Sequence, residues 1–317
     1  MEYTEVNKNT IEIILSEVLS ERIYSLIKKL NREDFNNIEE IRLRANRPLM
    51  IQNKHGDFFV NNSGCIDSKY KDLFVVDRQD IERTLQRMSD YSLYAVEEEV
   101  KQGFITLRGG HRVGLVGKVV LDGNKVKTLK YISGMNIRIA KEIKGCANNL
   151  VSRLYSEGVN HTLIISPPGC GKTTLLRDII RVLSSGDNSL NIKGYRIGLI
   201  DERGEIAACF HGVPQLDVGI RTDVLDSCPK VAGIYMLIRS MNPEIIAVDE
   251  IGGPEDAKAI EDALNVGVKI IATAHGRNLD EVMNRNGFRD MLNNTFRKAI
   301  VLNRNKGPGT IEEIIDI

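Results

Sequence analysis

The sequence predicts two folds in series: a smaller α+β domain over residues 1–140, then an α/β domain of mainly parallel sheet over residues 145–317. Three observations carry this. At 317 residues the chain is longer than one hydrophobic core usually covers. From residue 162 onward, apolar strand-like runs (TLIIS, YRIGLID, EIIAVDE, VKIIATA) alternate with helical patterns, the signature of a parallel sheet clothed by helices. Before residue 140 that alternation is missing, and short strand patterns joined by Gly-rich turns take its place.

In the first domain, Ile11, Ile14, Leu15, Val18, Leu19, Leu26 and Ile27 recur at three- and four-residue spacing and predict one amphipathic helix over residues 8–30. IEEIRLRANRPLMIQ alternates around Ile41 and Leu43 as a strand that Pro48 interrupts, and FFV resumes it after Gly56. Asp77 is placed to cap a helix carrying Ile81, Leu85 and Met88. The stretch GFITLRGGHRVGLVGKVVLDGNKVKTLKYISGMNIRIA then predicts several strands. In the second domain, helices are expected from Gly171, near residues 229–240 and near 255–265, and FRKAIVL, NRNKGPG and TIEEIIDI form a closing hairpin.

Composition narrows the function classes. Lys plus Arg and Asp plus Glu number 43 each, which argues against a chain devoted to coating phosphate backbones or anionic lipid. Cys65, Cys146, Cys170, Cys209 and Cys228 contain no CxxC pair, so reduced thiols and a cytosolic setting are expected. The first ten residues lack the basic-then-apolar pattern of a signal peptide, and no apolar run approaches the roughly eighteen residues that span a bilayer. Any membrane role is expected to run through partners.

The chemistry starts directly after TLIIS, where PPGCGKTTLLRDIIRVL turns through glycines into a helix. This is the setting of a P-loop. Gly169 and Gly171 allow a tight turn whose amides face a β-phosphate, and the helix N-terminus adds partial positive charge. Ser166, Pro167, Pro168, Gly169, Cys170, Gly171, Lys172, Thr173 and Thr174 are therefore the candidate ATP-binding residues, with Lys172 reaching the β- and γ-phosphates and Thr173 holding Mg²⁺. Ser166 stands where the strict pattern has glycine; it ends the strand, where a small side chain suffices.

About 75 residues on, EIIAVDEIGG ends an apolar strand in two carboxylates. Asp249 suits the Mg²⁺ shell and Glu250 suits orienting or activating water, although spacing alone leaves the division of roles open. His275, which ends the next strand, is a candidate γ-phosphate sensor. Asp201, Glu202, Arg203 and Glu205 cluster after another strand, and Arg221 and Arg239 are candidates for reaching a phosphate across a subunit boundary. A strand end or a solvated loop would equally accommodate any one of these side chains. The P-loop upstream is what favours the catalytic assignment. The alternative function is a nucleic-acid-dependent P-loop ATPase with RLRANR and LRGGHR as its patch, which the neutral net charge and 5% aromatics weaken.

LIRSMNPEIIAVDEIGGPEDAKAIEDALNVGVKIIATAHG resembles the Walker B and histidine-box region of type II and type IV pilus secretion ATPases, with Glu250 and His275 on their acidic and histidine positions. DERGEI is similar to their aspartate box, and IEEIRLRANRPLMI and GGHRVGLVGKVV to strands of their N-terminal domain. In combination, EIRLRANRPL, GGHRVGL, PPGCGKTTLLRD, DERGEIAA and NPEIIAVDEIGG resemble a sporulation family of endospore-forming bacteria. The resemblance implies a RecA-like P-loop ATPase domain using ATP and Mg²⁺, assembled as a homo-oligomer, a hexameric ring. It also implies a motor for a secretion-like channel in the mother cell, cytoplasmic but docked on small membrane proteins.

Overall fold

The computed structural model describes residues 6–67, 71–90, 92, 96–155, 158–190, 192–285 and 288–317; its contacts form two units, residues 2–141 and 142–317. In the first unit the helical spacing of residues 8–30 yields two helices rather than one, α1 (Val6–Val18) and α2 (Glu21–Ile27). Ser20 breaks them apart. Its hydroxyl accepts from Ile23 N–H at 3.3 Å, while its own N–H leaves the helix to reach Thr84 Oγ1 at 3.0 Å.

After α3 (Arg32–Asn37) come β1 (Glu40–Arg44), β2 (Arg47–Pro48), β3 (Met50–Asn53), β4 (Gly56–Val60), β5 (Ile66–Asp67) and β6 (Val75–Val76). Pro48 diverts the chain as expected, into a separate two-stranded pairing of β2 with β6. Asp77 then caps α4 (Arg78–Met88) in a reciprocal capping box with Asp80. The unit closes with α5 (Glu97–Gln102), β7 (Phe104–Thr106), β8 (Arg112–Asp122) and β9 (Lys125–Arg138). Its main sheet is antiparallel in the order β5-β4-β3-β1-β9-β8-β7, and Leu15, Leu19, Ile23, Ile41, Leu43, Ile81, Val113 and Ile137 form its core.

The second unit contains α6 (Asn148–Tyr155), β10 (Thr162–Ser166), α7 (Lys172–Ser185), β11 (Ile197–Asp201), β12 (Thr222–Asp226) and α8 (Lys230–Ser240). It continues through β13 (Ile245–Val248), α9 (Pro254–Asn265), β14 (Lys269–His275), α10 (Leu279–Met283), α11 (Phe288–Thr295), β15 (Lys298–Asn303) and β16 (Thr310–Asp316). The strand order is β12-β11-β13-β14-β10-β15-β16, parallel throughout except for β16, which returns antiparallel on β15. The expected α/β domain with a closing hairpin is present. Every residue of β10, β11 and β13 is buried because helices cover both faces. Ile164, Leu199, Ala247 and Ile271 face one core with Leu176 and Ile180 of α7. Their strand neighbours Leu163, Ile165, Ile200, Ile246 and Ala272 face the other with Leu237 and Ile260. Strand β12, TDVLD, is a half-exposed edge whose two aspartates weaken its strand signal.

In the first unit, His111 is buried and its Nδ1 accepts from Ala140 N–H at 2.9 Å. Burial pushes its pKa from the ordinary 6.5 down to about 4. As pH falls below 6.5 the unfolded chain takes up a proton that the folded chain refuses until about pH 4. The stability that neutral His111 contributes is therefore complete above 6.5 and drains away between 6.5 and 4, by on the order of 3 kcal/mol. In urea titrations across that range, His111→Asn, which keeps an acceptor for Ala140, is expected to show a flatter pH dependence than wild type. Equal slopes would disprove the assignment.

Candidate active site

In a parallel sheet the carboxyl ends of all strands share one edge, and loops leaving that edge converge. Here β14 lies between β13 and β10, and Ser166 at the end of β10 pairs with His275 at the end of β14. Residues far apart in sequence thus meet above the turn that joins β10 to α7. That turn has the backbone of a phosphate cradle. Gly169 and Gly171 take φ of +70° and +88°, and Lys172 opens the helix from a largely buried position. Ser166 is fully buried, and its hydroxyl turns back to the Pro167 carbonyl at 2.8 Å.

The acidic pair is held by Thr273 of β14. Its hydroxyl donates to Asp249 Oδ1 and accepts from Glu250 N–H at 2.9 Å, while its carbonyl accepts from Ile251 N–H at 2.8 Å. Glu250 sits in the left-handed region at φ +54°, a conformation that costs a non-glycine residue about 1–3 kcal/mol and that these bonds maintain. The kink sends the two carboxylates to different partners. Asp249 Oδ2 accepts from Thr173 Oγ1 at 3.3 Å, whereas Glu250 receives His275 Nε2 at 2.7 Å and Arg203 Nη1 at 2.8 Å. Burial pushes the Asp249 carboxyl above the usual range and the Glu250 charge adds to this, against the bonds from Thr273 and Thr173 and the Lys172 charge.

His275 bridges the two halves of the site. Lys172 Nζ donates to its Nδ1 at 3.3 Å, which assigns the ring proton to Nε2 and makes Nε2–H the donor to Glu250. The chain Lys172, His275, Glu250, Arg203 is thus continuous. Arg203 and Glu202 arrive on the loop after β11, whose shape is set from inside. The buried carboxylate of Asp201 accepts from the N–H groups of Glu205, Ile206 and Ala207 at 2.9, 3.1 and 2.8 Å. Buried Arg177 of α7 donates to the carbonyls of Ile206 and Glu205 at 2.5 and 2.7 Å. Glu202 in turn pairs with Lys230 at the start of α8.

Lys172, Thr173, Asp249, Glu250, His275 and Arg203 therefore come together, with Glu202 beside them and Pro167, Pro168, Cys170 and Thr174 in the turn and the first helical residues. Arg221 and Arg239 do not join them. Arg221 precedes β12 and caps the far end of α7 through the Ser184 and Ser185 carbonyls at 2.8 and 2.9 Å; Arg239 lies at the far end of α8, 5.9 Å from the Tyr235 ring centre. Two contributors escape a motif search. Thr273 is the one hydroxyl inside KIIATAH, and Arg177 is a charge within the apolar run LLRDII. Polar residues inside an apolar pattern are the signal that would have found both.

The fold is that of RecA-like P-loop ATPases, and here a glycine-rich turn, an acidic strand end and a histidine strand end gather on one edge of its sheet. The chain belongs to the family described as sporulation stage III, protein AA, whose model matches residues 8–317. Stage III sporulation protein AA of Bacillus subtilis (strain 168) is 41% identical over 303 residues, covering 95% of this chain and 94% of that protein. Protein SEEDLING PLASTID DEVELOPMENT 1 of Arabidopsis thaliana is 27% identical over 210 residues, 66% of this chain and 27% of that one. Among solved structures, the pilus retraction motor PilT with bound ADP is similar at a TM-score of 0.57 and 15% identity, covering 85% of this chain and 76% of its own. The Legionella pneumophila ATPase DotB is similar at 0.54 and 16%, covering 88% and 75%. At such identities the likeness speaks for the fold. Among the described residues no helix is long and apolar enough to cross a membrane.

Because Arg177 satisfies two carbonyls from a buried position, Arg177→Met is expected to cost about 3 kcal/mol of stability. It should also speed amide exchange at residues 203–207 more than in the rest of the sheet. Unchanged exchange in that loop would show that Arg177 does not hold it.

Proposed function

We propose that this protein is a Mg²⁺-dependent ATPase that acts as the motor of a secretion-like membrane apparatus in endospore formation. The observation that carries the proposal is the meeting of Lys172, Thr173, Asp249, Glu250 and His275 around one glycine-rich turn. In this reading residues Ser166 to Thr174 wrap the phosphates of ATP, and Lys172 exchanges His275 for the β- and γ-phosphates. Thr173 and Asp249 are the ligands for Mg²⁺. The donor set fits that ion, because a hydroxyl and a carboxylate 3.3 Å apart are hard oxygen ligands that leave further positions to phosphate and water. When bound, the ion neutralises charge on the phosphate oxygens.

Glu250 then orients or deprotonates the attacking water, with His275 and Arg203 aiming its carboxylate and His275 sensing the γ-phosphate. The geometry supports dividing the pair in this way, since Asp249 faces Thr173 and Glu250 faces away from it. Arg221 and Arg239 lie at the opposite edge of the sheet in their own chain, so action on a phosphate requires a neighbouring subunit. We therefore include a ring, a hexamer, in the proposal. Residues 1–140 serve assembly and dock on small membrane proteins of a sporulation secretion-like complex at the cytoplasmic face of a mother-cell membrane.

Lys172→Ala is expected to abolish nucleotide binding measured by calorimetry. Glu250→Gln should retain binding while phosphate release slows by about 10²-fold or more. A Lys172→Ala protein that turns over normally would remove the P-loop reading. An Asp249→Asn protein with the Glu250→Gln behaviour would exchange the two roles.

Assembly is tested separately, through phosphate release per subunit across protein concentration. The rate is expected to rise with concentration. Mixing Lys172→Ala with Arg239→Ala or Arg221→Ala protein should restore turnover for the arginine that works across the boundary. A flat rate together with no restored mixture would refute the ring.

A further inference from the structure

The hairpin joining β15 to β16 lies against the P-loop on the side away from the acidic pair. In the strand order, β15 flanks β10 on one side while β14 and then β13 flank it on the other. The hairpin turn reaches the phosphate cradle directly: Gly309 N–H donates to the Cys170 carbonyl at 2.8 Å. A Cβ added to Gly171 would stand 3.0 Å from Gly309 N, so the two backbones are in van der Waals contact. The turn has its own fastenings. Gly307 N–H reaches the Arg304 carbonyl at 3.0 Å, Thr310 Oγ1 donates to the Gly307 carbonyl at 2.7 Å, and Asn305 N–H donates to Asn303 Oδ1 at 3.0 Å.

This fixed turn carries Arg304, whose Nη1 lies 3.5 Å from the position a Gly169 Cβ would occupy. Arg304 is exposed, and among the described residues no carboxylate or carbonyl accepts from its guanidinium. A guanidinium held without an anion over a loop whose amides recognise phosphate is a ready donor to that phosphate.

We propose that the turn at residues 304–309 is a wall of the nucleotide site supplied by the same chain, with Arg304 binding the α- and β-phosphate portion that ATP and ADP share. The assignment rests on the nucleotide reading of the P-loop and adds a direction to it. The γ-phosphate end is marked by Asp249, Glu250 and His275 on the β13 and β14 side. Arg304 approaches from β15, across β10, and so meets what remains after hydrolysis. An interaction made equally with substrate, transition state and product tightens binding without accelerating the chemical step. Arg304 is thus a binding residue and a cis residue, unlike the arginines proposed to act between subunits.

The test measures the affinity of ADP and of a non-hydrolysable ATP analogue for wild type, Arg304→Ala and Arg304→Lys, together with KM and kcat for ATP. Arg304→Ala is expected to weaken both nucleotides by the same factor, about tenfold, and to raise KM by a similar factor, with kcat shifted far less. Arg304→Lys should fall between. Because Arg304 donates to nothing in the described structure, the thermal midpoint should be unaltered, so lost affinity would not report unfolding. Mixing Arg304→Ala with Lys172→Ala protein at subsaturating ATP should rescue nothing, as a cis contact requires. Unchanged ADP affinity, loss confined to the ATP analogue and kcat, or rescue in the mixture would each overturn the proposal. Absence of ADP binding by wild type would instead bring down the P-loop reading itself, and this inference with it.

Discussion

The parallel pairing of β10 with β14 and β15 is the constraint on which the site depends. Four residues of β10 are bonded on both sides, and the register Ser166 to His275 determines where the end of β14 stands relative to the phosphate loop. A slip of one residue would reverse the facing of every side chain in β14. Thr273 would then leave Asp249 and Glu250, His275 would leave Lys172, and the apolar residues Ile271 and Ala272 would exchange cores. Burial of alternating residues in two separate cores is what forbids the slip. The chemistry at the strand ends is therefore specified by apolar packing several residues away.

Within that frame the site stores a modest strain. Glu250 holds a left-handed backbone that leucine or valine would resist, and Thr273 compensates with bonds from its hydroxyl and its carbonyl. The result is separation: adjacent carboxylates in an extended strand would point to opposite faces of the sheet, whereas the kink keeps both at the phosphate edge with different partners. The Asp201 nest and the Arg177 strut do the same for the loop of Arg203. Both are buried polar groups that bond to the loop's backbone, one from the end of β11 and the other from α7, so they stabilise its shape without approaching solvent.

How much of this could be read beforehand follows from the range of the interactions. The glycine turn, the carboxylates at a strand end and the helix cap at Asp77 are local, and each was legible as a short motif in a predicted strand or helix, although the reciprocal bond to the Asp80 carboxylate was not. The break at Ser20 was not, because it needs Thr84 to capture an amide sixty-four residues away. Strand β12 was not, because an edge strand with two aspartates among five residues carries little apolar signal. Arg177, Thr273 and Arg304 share one reason for being missed: each acts through a backbone group or loop brought to it by sheet order, which a single sequence does not display. Conversely, Arg221 and Arg239 attract notice as lone arginines, yet the same sheet order carries them to the edge opposite the phosphate loop.

The arrangement of charges also bears on what binding must do. Lys172, His275, Glu250 and Arg203 form a chain in which donors and acceptors alternate, so each neutralises part of its neighbour's field. A phosphate entering the loop, as the proposed function requires, would compete with an imidazole nitrogen for Lys172, and it would win because an anion is the stronger partner for an ammonium at the same distance. Removing Lys172 from His275 leaves Nδ1 without its donor while Nε2 remains on Glu250. On the proposed reading, occupation of the phosphate loop would be communicated to the acidic position through one imidazole ring, which contacts both Lys172 and Glu250. Arg304 stands outside this chain, on the far side of β10, so a contact there changes affinity without disturbing the relay. On the proposed reading the two flanks of β10 would divide the work: one would sense what is bound at the γ end, and the other would retain what both nucleotides have in common.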